Sequence, residues 1–470
     1  MNLHIFRVTV TVVAATLALL LGSGRLYSQA EYTTWYFGDS IGLDFSSGSP
    51  VRLYNGGMHS FEGCAVMCDR QTGRVLFYTD GMTVWDSTHA MMQNGLIMRK
   101  KPENIIPRYD LIHRDNFFEQ FDSVATQSAL IVPFPCDSQR YYVFTANCVE
   151  CLRGTPLQDN EGLHYAVVDM RLNGGRGAVV QKNLRLLSRS SERQCATMHA
   201  NGRDYWVVTQ ELESYAFHAF PVTCDGVGEP TISRAEDNLR DPIFKSQIWD
   251  AGMIKISPDG KRLAISHDEP AIAGFVDVYR FDPTTGRVQD RVHIPHPAYG
   301  IAFSPNGERL YTTHLGSRRL YQYDLTQASE EEVVASRVDL GRVSIVYPGS
   351  LQLGPDRKLY VISAGFSPAI HNASRTIDFD SLETIISVVE KPDEPGPACE
   401  FRYRAIVFPP RAMGLGLPNN IDSRLPPASV QGNSLDPNAT HSLALGRSLD
   451  SVQVESIPAV GTLSIRASWA

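Results

Sequence analysis

What the sequence lacks first is a long apolar run. Its clearest one, Val8 to Leu21, falls short of the roughly 20 residues that a membrane helix needs. Arg7 precedes it, and Ser28-Gln29-Ala30 sets small residues at the minus-three and minus-one positions of a cleavage site. Residues 1–30 are therefore expected to be a signal peptide, leaving an exported mature chain with no membrane span. No cysteine stands near the cleavage point, which argues against a lipid anchor there.

An excess of positive charge is also missing. The formal net charge is −8, from 43 Lys and Arg against 51 Asp and Glu. Removing residues 1–30 takes away Arg7 and Arg25 and no acid, so the mature value becomes −10. No basic stripe with interleaved aromatics appears, and such a chain does not suit a phosphate backbone. Nucleic acid is not an expected partner.

Metal and catalytic signatures are few. Eight cysteines stand at 64, 68, 136, 148, 151, 195, 224 and 399. Cys64 and Cys68 lie four apart in a predicted strand, roughly 13 Å from each other, too far to pair. Cys148-Val-Glu-Cys151 suits a small disulfide loop or half of a metal site. Neither a second Cys-x-x-Cys nor a His-x-x-x-His completes a zinc set, so no metal is expected. A His-Glu-x-x-His helix, a phosphate loop and a dinucleotide fingerprint are absent too. Gly414-Leu-Gly-Leu417 follows Pro409-Pro410 and reads as a chain-closing turn.

What is present is a repeat. "MIKISPDGKRLAISH" (253–267), "GIAFSPNGERLYTTH" (300–314) and "SLQLGPDRKLYVISA" (350–364) share one template, about 47 to 50 residues apart. Each is an apolar strand, a turn built on Pro and Asp or Asn, and a second apolar strand. Looser copies occupy 66–80, 131–146 and 198–210. A further strand ending in a turn follows each hairpin, so every unit reads as about four antiparallel strands. The stretch "EGCAVMCDRQTGRVLFYTDGMTVWDSTHAMMQNG" (62–95) is thus scaffold, with Asp69 to Gly73 as its hairpin turn.

Four-stranded sheets repeated radially make a β-propeller. The expected fold is all-β, with seven four-stranded blades over 31–424. Six hairpins are visible, and the seventh blade would join early strands (33–45) to late ones (401–410), although six or eight blades fit the uneven spacing. Residues 425–470 are a Pro- and Ser-rich linker followed by short strands, a tail or the remnant of a β module.

The blocks "WYFGDSIGLDFSSGSPVRL", "HANGRDYWVVTQ", "SPDGKRLAIS", "GLGLPNN" and the 62–95 stretch resemble a family of exported β-propellers of Bacteroidota-type bacteria, similar to WD40-like and YVTN-like propellers. The resemblance runs from about Trp35 to Asn420. It implies secretion, since such proteins often carry a gliding-motility or type IX secretion sorting domain. Two features depart from that pattern: an insertion over 99–125, and a tail without a complete sorting domain.

In a propeller the residues just before each innermost strand line one channel mouth. These are Glu62, Gln127, His199, Asp250, Tyr299 and Tyr347, a ring suited to gripping a sugar or peptide, or to holding a cation such as calcium between Glu62 and Asp250. His267 and His314 occupy matching places in adjacent hairpins and are read as repeat-derived. The insertion 99–125 is expected to cap the mouth, with Phe117, Phe118 and Phe121 as its lid. No cofactor is expected. The leading expectation is a non-enzymatic exported propeller that binds a protein or glycan; the alternative is a lactonase-like, metal-assisted hydrolase using channel carboxylates.

Overall fold

The computed structural model describes residues 30–97, 125–149, 162–212, 214–234, 252–268, 274–366, 382–410, 414–425, 442–443, 451–456 and 464–468. The expected signal peptide, Asp250, and the lid residues Phe117, Phe118 and Phe121 lie outside them. The chain divides into two units, Met1–Pro426 and Pro427–Ala470. Helix is scarce among the described residues; the α-helix Glu330–Ala335 begins with a capping box made by Ser329 and Glu332.

In the first unit the strands form a propeller-like arrangement of small antiparallel sheets. Strands β1 (Thr34–Phe37), β2 (Ile41–Asp44) and β3 (Val51–Leu53) make a three-stranded sheet. Two meanders follow. The first is β4 (Ala65–Cys68), β5 (Val75–Thr79), β6 (Thr83–Asp86) and β7 (Met91–Leu96). The second is β8 (Ala129–Pro133), β9 (Arg140–Ala146), β10 (Leu163–Asp169) and β11 (Ala178–Leu187). Strands β12 (Ser190–Met198), β13 (Tyr205–Glu211), β14 (Phe217–Thr223), β15 (Gly226–Val227) and β16 (Thr231–Ser233) form a five-stranded sheet.

Three plain four-stranded meanders complete the unit. They are β17 (Ile254–Ile256), β18 (Arg262–His267), β19 (Phe275–Asp282) and β20 (Arg287–Ile294); then β21 (Ile301–Phe303), β22 (Arg309–His314), β23 (Arg319–Asp324) and β24 (Val338–Arg342). The last is β25 (Tyr347–Leu353), β26 (Leu359–Phe366), β27 (Leu382–Val389) and β28 (Phe401–Phe408). The second unit holds β29 (Ser442–Leu443), β30 (Ser451–Ser456) and β31 (Ser464–Ser468), paired in that order.

Seven four-stranded blades do not form. A parallel bridge between Ala178 and Gln93 fuses the meanders of β4–β7 and β8–β11 into one eight-stranded sheet. Among the described residues five sheets of the first unit therefore have four strands or more, beside the three-stranded one. The expected pairing of 33–45 with 401–410 is also corrected. Strand β28 is the outermost strand of the last meander, bonded to β27, while β1 and β2 pair with each other. Instead, Phe37 and Phe408 meet edge to face at 5.7 Å, and from the neighbouring β3 Arg52 Nη1 donates to the Val407 carbonyl at 2.8 Å.

The six hairpins read from the repeat are all present, and the turn chemistry explains them. Gly260 and Gly307 take φ of +72° and +73°, the left-handed region that glycine enters without penalty. At the same place in the third copy stands Arg357, at φ 64°. Between the sheets lie apolar layers. Trp35, Phe37 and Leu43 pack with Tyr360, Ile386 and Phe408 on one side and with Cys64, Val66 and Tyr78 on the other, which seats the three-stranded sheet between the last meander and the first.

Closure comes from a segment that forms no regular strand. Residues 414–419 run between β25 and the chain entering β4. Leu415 N donates to the Phe61 carbonyl at 2.6 Å, Asn419 N to that of Cys64 at 2.8 Å, and Ser350 N to that of Leu415 at 2.8 Å. Pro418 and Cys64 form a parallel bridge. The approach is so close that a Cβ on Gly416 would lie 1.6 Å from the Glu62 carbonyl oxygen.

Candidate functional site

Beyond Pro418 the chain enters the space enclosed by the innermost strands. Asn419 donates through Nδ2 to the Gln194 carbonyl at 2.8 Å, while its Oδ1 lies 3.4 Å from both Gln127 Nε2 and Lys255 Nζ. Lys255 Nζ donates to Gln352 Oε1 at 2.6 Å, and Gln352 Nε2 donates to Asp422 Oδ1 at 2.6 Å. All six side chains are buried. Burial pushes the Asp422 carboxyl above its ordinary range, and the Lys255 charge opposes that shift. The channel is thus filled by the chain's own Asn419 to Asp422. At the far end Arg424 holds Glu31 in an ion pair, Nε to Oε2 at 2.6 Å, tying the last turn to the first.

At the opposite end stand the residues expected to form the mouth. Tyr299 donates its hydroxyl to Glu62 Oε1 at 2.7 Å. Beside them Glu192 is fully engaged at one oxygen: Oε1 accepts from Thr126 N at 3.0 Å and from Thr126 Oγ1 at 2.6 Å. Its Oε2 accepts from Val149 N at 3.1 Å. Burial raises the Tyr299 phenol well above its ordinary range, and the Glu62 and Glu192 charges raise it further. The phenol is therefore a fixed donor across the working pH range. Glu62 is half-buried.

Arg193 extends this floor. Its Nε donates to Ser191 Oγ at 2.9 Å, and its Nη1 donates to the Ser266 carbonyl at 2.7 Å and faces His267 Nδ1 at 3.2 Å. Burial, then the Arg193 charge, hold the His267 imidazole well below its ordinary range. His267 and His314 do share a register position in adjacent sheets, but they take different partners. His314 Nδ1 faces Ser317 Oγ at 3.0 Å, with Asp268 Oδ1 3.9 Å from its Nε2. Among the described residues no three His, Cys, Asp or Glu side chains are grouped to hold a metal ion.

Of the six expected ring residues, the structure joins Glu62 and Tyr299. Gln127 is buried as a staple: Ile254 N donates to its Oε1 at 2.8 Å, and its Nε2 donates to the Ile254 carbonyl at 3.1 Å. Tyr347 opens β25, half-buried, opposite Ala364. His199 is not at the mouth. The innermost strand β12 spans Ser190–Met198, so His199 follows it, in the Asn201-Gly202 turn, stacked on Trp206 at 5.4 Å. The apolar pattern of 198–210 belongs to the second strand, and "SSERQCATM" is the strand that carries the mouth residues.

Sequence reasoning missed Thr126, Glu192 and Arg193, whose signal was polar residues running directly into the apolar Cys195-Ala196. It also passed over Gly38-Asp39-Ser40-Ile41-Gly42, which has the spacing of a nucleophile elbow. The structure sets this stretch on the hairpin turn between β1 and β2. Ser40 Oγ donates there to Asp39 Oδ1 at 3.2 Å, and Asp39 pairs with His59 at 2.6 Å. A nucleophile elbow turns from strand to helix and presents serine to histidine; this turn joins two strands and presents it to the neighbouring carboxylate.

The cysteines divide cleanly. Cys136 and Cys224 form a disulfide between the β8–β9 and β14–β15 turns, and Cys148 is disulfide-bonded. Cys64, Cys68, Cys195 and Cys399 are free and buried.

No protein-family model matches this chain, and no curated protein does. Solved structures match in fold. A protein from Lactobacillus plantarum is 10% identical, with 82% of this chain and 99% of that one covered at a TM-score of 0.44. A putative 6-phosphogluconolactonase from Bacteroides fragilis is 12% identical, covering 66% and 94% at 0.33. The periplasmic gluconolactonase of Pseudomonas aeruginosa is 14% identical, covering 63% and 88% at 0.34. The fold is propeller-like, and these similarities extend to nothing further.

Proposed function

We propose that this is an exported propeller that binds a neutral glycan at the mouth formed by Glu62 and Tyr299. The carrying observation is the 2.7 Å bond between them, which fixes a half-buried carboxylate on a rigid rim. Sugar hydroxyls donate to such a carboxylate, and an acidic ligand would be repelled by Glu62 and Glu192. A protein partner needs exposed apolar anchors at the centre of its contact. Among the described residues the exposed large apolar ones are Val51, Tyr54, Met91, Leu96, Leu172, Val180, Ile232 and Tyr403, and none of these belongs to the mouth described above.

Export is supported by the disulfides, because such bonds persist in oxidising compartments: the periplasm, the cell surface or the medium. The resemblance to secreted propellers agrees with it. A glycan array probed with the mature chain and with Glu62→Gln and Tyr299→Phe tests the reading. Loss of a discrete set of neutral glycans in both variants is expected. Turnover of a lactone panel that Glu62→Gln abolishes would favour the hydrolase instead.

A further inference from the structure

The bridge that fuses two meanders creates a surface that no other pair of sheets has among the described residues. Strands β7 and β11, each the outermost of its meander, lie side by side through Ala178 and Gln93. Lys182 Nζ donates across the junction to the Leu96 carbonyl at 2.9 Å, and Asn94 Nδ2 donates to that of Val179 at 3.3 Å. The result is one continuous outer face on the rim of the ring.

Its composition is unlike the rest of the protein. Met91, Leu96, Leu172 and Val180 are 61%, 43%, 43% and 47% exposed, half of the large exposed apolar residues among those described. Arg176, Lys182 and Arg185 are exposed beside them, and none of the three makes an ion pair among the described residues. Neither 87–97 nor 170–191 contains an acidic residue, in a chain whose formal net charge is −8. Apolar side chains on the outermost strands and on the turn before β11, with cations outside any ion pair around them, match one kind of surface. The aliphatic groups enter a headgroup layer while the cations meet its phosphates.

We infer that the β7–β11 face docks this protein onto an anionic phospholipid surface. The innermost strands and the mouth take no part in this contact, so a glycan can be held while the rim is docked. Arg171 is not counted in the face, because Asp169 and Asp137 neutralise it.

Co-sedimentation of the mature chain with large unilamellar vesicles tests this. Vesicles of phosphatidylcholine with about one third phosphatidylglycerol should carry the protein down at low salt, and pure phosphatidylcholine should not. Binding should fall steeply above about 0.3 M salt, where screening is within a few ångströms. Lys182→Ala with Arg185→Ala should lower the partition coefficient about 30-fold, given the contribution of each cation near such a surface. Met91→Ser with Val180→Ser should weaken it at unchanged salt slope. All variants must keep the wild-type unfolding midpoint, which exposed sites allow. Several outcomes would overturn the inference: no sedimentation with either vesicle, equal binding by the charge-removed variant, or a salt-sensitive retention on a sulfated polysaccharide column without vesicle binding. Concentration-dependent dimers lost in Met91→Ser/Val180→Ser, without vesicle binding, would assign the face to a second copy instead.

Discussion

Asn419 reaches the carbonyl of Gln194 at 2.8 Å across 225 residues of sequence, and in doing so closes the ring from within. Its contacts to Gln127 and Lys255 tie the meanders that begin with β8 and β17 to the same side chain. Removing it takes a bond from each of these buried groups. Asn419→Ala should cost about 2–3 kcal/mol, on the scale of two or three buried hydrogen bonds, read from urea unfolding of the mature chain.

Gly416 offers a sharper contrast. A Cβ there meets the Glu62 carbonyl oxygen at 1.6 Å, a backbone contact that cannot yield. At Gly307 the added Cβ meets nothing closer than 3.5 Å, and only its φ of +73° opposes substitution. Gly307→Ala should cost about 1 kcal/mol, and Gly416→Ala clearly more, with a weakened mouth besides. Equal effects would mean that the segment 414–419 does not close the ring.

Truncation gives a third outcome. A chain ending at Pro426 should remain folded and soluble, because Met1–Pro426 is a compact unit by itself. A chain ending at Pro410 loses Leu415 to Asp422, exposes Lys255 and Gln352 in an emptied channel, and should aggregate or unfold. Size-exclusion chromatography distinguishes the two.

Acid should weaken the fold through His267. Its folded value lies well below the ordinary imidazole value near 6.5, because burial and then Arg193 disfavour the charged ring. The unfolded chain therefore binds a proton that the native chain refuses. Stability contributed by the neutral ring is present above about pH 6.5 and declines as pH falls below it. His267→Gln should flatten the slope of unfolding free energy between about pH 6.5 and 5; an unchanged slope would contradict the burial.

The disulfide between Cys136 and Cys224 spans 88 residues and staples two neighbouring sheets. Cys136→Ser with Cys224→Ser should cost about 2–4 kcal/mol, the usual range for a long loop. Cys64 and Cys68 should resist alkylation in the native state, since both are buried and burial raises the Cys68 thiol to about 12.

Local chemistry was legible in the sequence. Asp259-Gly260 and Asn306-Gly307 announce their turns because few other residue pairs tolerate the backbone they need, and the hairpins formed as read. Arg357 takes the same left-handed turn without a glycine, held by the register of β25 and β26 on either side. Glu62 and Tyr299 stand three and two residues before the innermost strands β4 and β21, which is why the repeat pattern pointed to both. Illegible was everything that depends on distant partners. Gln127 looked like a mouth residue, yet it is consumed by Ile254 and by Asn419, 292 positions away. His199 was misplaced because β12 begins with polar residues, so the apolar pattern marked the wrong strand as innermost. The fusion at Ala178 and Gln93 leaves no local trace, since one bridge needs only two outward-facing backbones.

The central claim is that the carboxylate and phenol at the mouth hold a neutral glycan. Isothermal titration of the best array ligand into the wild-type mature chain and into Tyr299→Phe tests it most directly. Removing the hydroxyl takes away the 2.7 Å bond that positions Glu62 Oε1 while leaving the ring folded, so affinity should fall about tenfold or more, on the scale of a charge-assisted hydrogen bond, with an unchanged unfolding midpoint. Identical affinity in the two proteins would contradict the account.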